Sequence, residues 1–164
     1  MPTKSELIKS LALTEHREGG FYKRTYQSPT TIQTNRQPPE RYLLTSIFYM
    51  LTEDKPIGYF HINRSDIIHY FQLGSPIIYL TISPEGILEK HILGPDISQG
   101  HCLQLIVKGG YWKASMLETG EFGLLSEAVA PGFDYKDAEM ATPATFKKLF
   151  PSLWDTISSY VLPE

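Results

Sequence analysis

The chain has 164 residues, 41% hydrophobic and 20% charged, with a formal net charge of −3. That length suits one domain with one core, and the ordinary apolar content argues against disorder. There is no basic run to track a phosphate backbone and no apolar stretch of spanning length, so nucleic acid and membrane are not expected partners.

The first element is a short helix. Thr3 and Glu6 have the spacing of a capping box, and Leu7, Ile8 and Leu11 form one apolar stripe. Glu18-Gly19-Gly20 breaks it, and a strand over 21–26 follows. Residues 28–41 are polar and proline-bearing, and read as a long loop, a lid or mobile edge. Strands are then predicted at 42–51, 57–63, 67–73, 76–82, 87–92, 102–107, 111–117 and 122–129. Between them lie turn segments such as Ser83-Pro84-Glu85-Gly86 and Lys108-Gly109-Gly110, where glycine admits positive φ and proline presets a turn. Short strands at this spacing mean an all-β sandwich or barrel. Thr142-Pro143 marks a helix start. Pro151 interrupts that helix, and Leu153, Trp154, Ile157 and Val161 continue an apolar face.

Two histidines stand out. On a period-two backbone Tyr59, His61 and Asn63 share one face of the 57–63 strand, and Ile67, His69 and Phe71 share one face of the next. His61 reads as a general base, since imidazole titrates near neutrality. His69 reads equally as a pocket group or a satisfied core residue. Lys113 either points into the barrel with Ser115 and Leu117, pairing with Asp66, Glu127 or a ligand anion, or turns outward at the rim. Tyr49, Tyr59, Tyr79, Phe71 and Trp112 are aromatic wall candidates, and Tyr59 is the chosen acid–base partner of His61. The one cysteine, Cys102, reads as a small buried hydrophobe. One cysteine fits a reducing compartment, and nothing near the N-terminus resembles a signal peptide. A cytoplasmic location is therefore expected.

Several segments occur in a diagnostic order: Glu18-Gly19-Gly20-Phe21-Tyr22-Lys23-Arg24-Thr25-Tyr26, Thr45-Ser46-Ile47-Phe48-Tyr49-Met50-Leu51, Phe60-His61, Gly94-Pro95-Asp96 and Val129-Ala130-Pro131-Gly132-Phe133-Asp134-Tyr135. Together they resemble the cupin-5 family, an uncharacterised group of the cupin superfamily, over about residues 5–150. The resemblance implies a double-stranded β-helix (jelly-roll) barrel in a single domain over 1–164. Its core would span about 21–135, with C-terminal helices at about 143–161. It also implies a homodimer, which burial of the strand at 43–51 between subunits would explain. It implies likeness in shape to the metal-independent sugar-nucleotide epimerases of the superfamily, and a place for Glu18 at the barrel mouth. Arg24 stands where an acidic residue is expected, and Asp134 is placed to orient Arg24 or Arg41.

General cupins hold a metal through two motifs. In this chain His61 matches the first histidine, but Asn63 and Ile67 stand at the next two ligand positions. Lys113 stands at the histidine of the second motif. Metal sites need about three converging donors, and an ammonium repels a divalent ion. No metal and no other cofactor is expected. The expected function is binding of a small polar metabolite, sugar-like or nucleotide-sugar-like, by a metal-independent isomerase or epimerase. Its catalytic residues would be His61 and Tyr59, and its ligand-binding residues Glu18, Asn63, His69, Phe71, Tyr79, Trp112 and Lys113. A non-catalytic binding or sensor module is the alternative, and a residual metalloenzyme is a third.

Overall fold

The computed structural model describes residues 2–163. In chain order the elements are α1 (Lys4–Ser10), β1 (Thr14–Glu15), β2 (Phe21–Gln27), β3 (Thr31–Gln33), β4 (Glu40–Tyr42), β5 (Thr45–Thr52), β6 (Ile57–Asn63), β7 (Asp66–Gly74), β8 (Ile77–Ile82), β9 (Leu88–Leu93), β10 (Gln104–Val107), β11 (Trp112–Met116), β12 (Phe122–Ala130), β13 (Ala138–Met140), α2 (Pro143–Leu149) and α3 (Trp154–Ile157). A six-stranded sheet runs β1-β2-β5-β12-β7-β10 and faces a five-stranded sheet, β13-β6-β11-β8-β9. Every strand pair is antiparallel. This is the jelly-roll barrel, with both sheets turning alternate side chains inward.

The interior has two halves of different chemistry. Tyr49 and Leu51 of β5, Ile77 and Tyr79 of β8, and Leu125 of β12 close one end as an apolar cluster. Further along the same strands the inward residues are Ile47, Thr81, Lys113, Glu127, His61 and Asn63, and that end is open. The outer faces are covered separately. Under α2 and α3, Phe60 and Trp112 pack with Phe146, Ile157 and Val161. Under α1, Leu7 and Leu13 pack with Met50, Leu124 and Phe48. Burial of β5 is thus achieved within the chain: Met50 and Phe48 lie beneath α1 and Tyr49 and Leu51 face inward, while Leu43, ahead of the strand, is exposed.

Local signals account for the helices. Thr3 and Glu6 form the capping box of α1 with both reciprocal bonds present. The Thr142 hydroxyl accepts from the Thr145 amide, with Pro143 in the first turn of α2. The segment 28–41 is not a plain loop. It holds the β3–β4 hairpin, whose strands are three residues long and mostly exposed, so no apolar alternation marks them.

A buried ion cluster ties this hairpin to the return after β12. Arg41 holds Asp137 through two bonds, Nε to Oδ2 at 2.8 Å and a terminal nitrogen to Oδ1 at 2.9 Å. Arg36 adds a third to Oδ2 at 2.7 Å and also donates to Ser65 Oγ. Asp134 was the expected partner of Arg24 or Arg41. Instead its carboxylate caps the single turn Tyr135–Asp137 by accepting from the Lys136 amide. Hydrogen bonding from Arg41 holds the Asp137 carboxyl below the ordinary aspartate value. Its contribution to stability is therefore full above about pH 4 and is lost as pH falls through the lowered folded value. Asp137→Ala leaves two guanidiniums without their carboxylate. Denaturant unfolding should show a loss of about 3 kcal/mol or more. A change under about 1 kcal/mol would mean the cluster behaves as a surface pair.

Candidate functional site

The open end of the barrel is a cavity of about 610 Å³ between the two sheets. Its floor is laid by strand register. His61 of β6 and Lys113 of β11 are direct cross-strand partners, and Glu127 of β12 faces His69 of β7 in the opposite sheet. Lys113, only 4% exposed, reaches across the interior between them. Its ammonium donates to His69 Nε2 at 2.7 Å and lies 3.6 Å from Glu127 Oε2. The other ring nitrogen, His69 Nδ1, donates to the Leu105 carbonyl at 3.4 Å. His69 is therefore neutral. Burial, reinforced by the Lys113 charge, holds it well below the ordinary imidazole value.

The second part of the site is the turn carrying Glu18. Its backbone is fixed at each step: the Glu18 amide donates to His16 Nδ1 at 3.1 Å, the Glu18 carbonyl accepts from the Tyr59 amide, and the Tyr49 hydroxyl donates to the Gly19 carbonyl at 2.9 Å. Gly19 has φ +100, and a Cβ there would collide with the Ile57 carbonyl oxygen, so only glycine lets this turn press against β6. The turn holds Glu18 Oε2 at 3.3 Å from His61 Nε2 and 3.4 Å from His16 Nδ1. His61 Nδ1 donates to the Tyr59 carbonyl at 2.7 Å, which leaves Nε2 as a bare lone pair. A hydrogen bond between His61 and Glu18 therefore forms only when the pair holds a proton. Burial first, and Lys113 second, push His61 down to about 3.

Two polar atoms in this wall have no hydrogen-bond partner: Glu18 Oε1 and Asn63 Nδ2, both buried. The other end of the Asn63 amide, Oδ1, accepts from the Ser65 backbone. Above the floor the walls are aromatic, with Tyr22, Tyr42, Phe133 and Tyr135 around the mouth.

The structure brings Glu18, His61, Asn63 and Lys113 into one cavity. His69 and Tyr79 sit deeper. His69 contacts Lys113, and Tyr79 stacks edge-on against the His69 ring at 4.8 Å. Phe71 belongs to the apolar end. Trp112 does not reach the cavity: it is on the outer face of β11, edge-on to Phe146 under α2. Adjacent residues of a strand point to opposite sides, so Trp112 and Lys113 cannot both face in.

Tyr59 is also elsewhere. A bulge between Lys113 and Ser115 gives β6 one extra residue, so Gly58 is the next inward neighbour of His61. The Tyr59 ring lines a separate depression with Lys55 and Pro56, and only its backbone carbonyl touches His61. Lys113 pairs with Glu127, whereas Asp66 accepts from the Gly109 amide. Cys102 is partly buried, with its thiol directed at the Ile92 carbonyl. His16 was not singled out from sequence. It precedes a turn with no period to read, and only its spacing of two residues from Glu18 hints at it.

Among the described residues no group of three His, Cys, Asp or Glu is placed to hold a metal ion. The donor chemistry gives the reason. The positions that general cupin motifs use for further ligands hold an amide, an alkyl chain and an ammonium, in Asn63, Ile67 and Lys113, and all three line the cavity. A cation at His61 would face that ammonium from the neighbouring strand, so these residues do not fit a catalytic metal.

A jelly-roll barrel with its polar side chains gathered in one open end is a cupin domain. The chain belongs to the family described as Cupin superfamily (DUF985), whose Cupin_5 model matches residues 5–141. It is 39% identical over 145 residues to an uncharacterised protein of Saccharomyces cerevisiae, YML079W, covering 80% of this chain and 72% of that one. Protein SO0799 from Shewanella oneidensis is 30% identical, with a TM-score of 0.91 and complete coverage of both chains. A hypothetical protein from Leishmania major is 26% identical, with a TM-score of 0.91 over 98% of this chain and 99% of its own.

His16, His61 and His69 are all lowered from the ordinary imidazole value, each chiefly by burial. The unfolded chain, titrating near 6.5, then binds more protons than the native one. Their contribution to stability is full above about pH 6.5 and falls as pH drops toward the lowered folded values. The melting temperature should decline steadily between about pH 7 and pH 4.5. An unchanged temperature over that window would contradict neutral, buried rings. Lys113→Met should raise the His61 titration point measured by NMR, since the ammonium opposes the imidazolium. A midpoint that stays put or moves lower would overturn that coupling.

Proposed function

We propose that the barrel binds a small hydroxyl-bearing metabolite of sugar size and isomerises it without a metal, using Glu18 and His61 as the proton-transfer pair. The observation that carries this reading is the Glu18–His61 pair in the wall of one open cavity, a carboxylate oxygen 3.3 Å from an imidazole nitrogen whose lone pair is free. Glu18 and Asn63, which line the same cavity, offer a carboxylate and an amide to the hydroxyl groups of such a ligand. Aromatic walls suit the C–H faces of such a ligand.

In this reading His61 Nε2 takes a proton from the carbon beside a substrate carbonyl. Alone, a ring pushed down to about 3 is a poor base at neutral pH. Glu18 Oε2, 3.3 Å away, pairs with the imidazolium as it forms and offsets that penalty. The electron pair left on carbon moves onto the carbonyl oxygen, giving an enediolate. The Lys113 ammonium, on the adjoining strand, supports that charge. The same His61 returns the proton to the neighbouring carbon, while the hydroxyl proton on the first carbon passes to the former carbonyl oxygen, so that a new carbonyl forms where the hydroxyl was. The Tyr59 ring lies outside the cavity, and this favours one-base isomerisation over two-base epimerisation.

The test is incubation with aldohexoses and their phosphate monoesters in deuterated water, followed by NMR for carbon-bound exchange. Wild-type protein should introduce deuterium, and His61→Asn and Glu18→Gln should each slow exchange by about 100-fold or more. Undiminished exchange in His61→Asn would rule the mechanism out. Tight binding of a sugar that is recovered with no deuterium would instead support the second reading, a binding module, which the aromatic mouth also suits.

A further inference from the structure

The floor of the cavity is nearly balanced in charge, with Lys113 against Glu127 and the Glu18–His61 pair. The mouth is not. Arg24 and Lys136 line its rim, and Arg17 stacks on the rim residue Tyr135 at 4.2 Å from the ring centroid. Asp134 is the carboxylate that lines the same rim, and its Oδ1 is engaged by the Lys136 amide. Three cations against one carboxylate is a local excess on a chain whose net charge is −3, so composition does not account for it.

The two guanidiniums are also held in place. Arg24 uses two donors, one to Gln27 Oε1 at 2.9 Å and one to the Phe133 carbonyl at 3.5 Å. A guanidinium has five donors, so three remain. Arg17 spends its face on Tyr135 and keeps its donor edge. Fixing a long side chain beforehand lowers the entropy lost when it captures an anion. Tyr22 and Tyr135 line the same cavity and carry hydroxyl donors.

We infer that the barrel mouth is an anion subsite, in which Arg17, Arg24 and Lys136 take a phosphate or carboxylate of a ligand whose hydroxylated part fills the floor. The inference deepens the proposed function and rests on it for where the hydroxylated part lies. It makes the ligand an acidic sugar derivative, a sugar phosphate or a sugar acid, and not a neutral sugar. Selectivity then divides by depth: charge is read at the mouth, and hydroxyl pattern at Glu18 and Asn63.

Glucose, a glucose phosphate monoester and glucuronate are the probes, with affinity measured by calorimetry on the whole protein. At least one charged probe should bind about tenfold or more tighter than glucose, as charge-assisted bonds require, and the advantage should shrink with added salt. Gain by glucose phosphate alone assigns the subsite to phosphate, and gain by glucuronate as well assigns it to either anion. In Arg17→Gln/Arg24→Gln the ratio of charged to neutral affinity should fall to within about twofold. Both residues are exposed, and an unchanged melting temperature verifies the fold of the variant. Equal affinity for all three probes, no measurable binding of either charged probe, or a charge preference that survives the double variant would each overturn the inference. Deuterium exchange without charge preference removes the subsite and leaves the isomerase standing. Charge preference without exchange does the reverse.

Discussion

Everything at the open end of the barrel is arranged around one desolvated ammonium. Lys113 leaves the five-stranded sheet, crosses the interior and meets His69 and Glu127 of the six-stranded sheet. A buried lysine is costly unless its protons are satisfied, so the two sheets must keep the separation that its chain spans. Its charge opposes protonation of His69 from 2.7 Å, and of His61 from the neighbouring strand. It also occupies the position from which a further ligand would serve a metal. One side chain thus sets the spacing of the sheets, the neutrality of the rings and the kind of chemistry the cavity admits.

The Glu18 turn is the complementary constraint. Three hydrogen bonds and a glycine pressed on the Ile57 carbonyl fix a carboxylate that arrives from outside both sheets. Strands fix direction by alternation, but a turn must be held by its own backbone bonds. Here those partners are His16, Tyr49 and Tyr59. Tyr49 acts through its hydroxyl, and Tyr59 through its amide and carbonyl.

How much of this was legible depends on whether a residue sits on a regular period. The eight strands from β5 to β12 were readable because apolar runs alternate with glycine and proline turns, and the two caps were readable from Thr3, Glu6 and Thr142. The inward placement of His61, Asn63 and His69 follows from the same alternation. Tyr59 escaped it because the bulge on β6 inserts one residue, and an insertion leaves no mark in composition. Trp112 was a plain conflict with Lys113, since neighbours on a strand cannot share a face. His16 and the Asp137 cluster were illegible for another reason. The Tyr49 ring that His16 packs against and the arginines that hold Asp137 lie more than 30 residues away in sequence, and only the folded chain brings them together.

The Asp137 cluster has one more consequence. A single carboxylate answers two guanidiniums that belong to a different stretch of chain, and all three are buried. Loss of the acid strands both bases, whereas removal of either base leaves the acid still paired. The three positions are thus unequal under substitution. Descendants of this chain can trade away Arg36 alone, but can replace Asp137 only in concert with both arginines, which makes the hairpin and the return after β12 a single heritable unit.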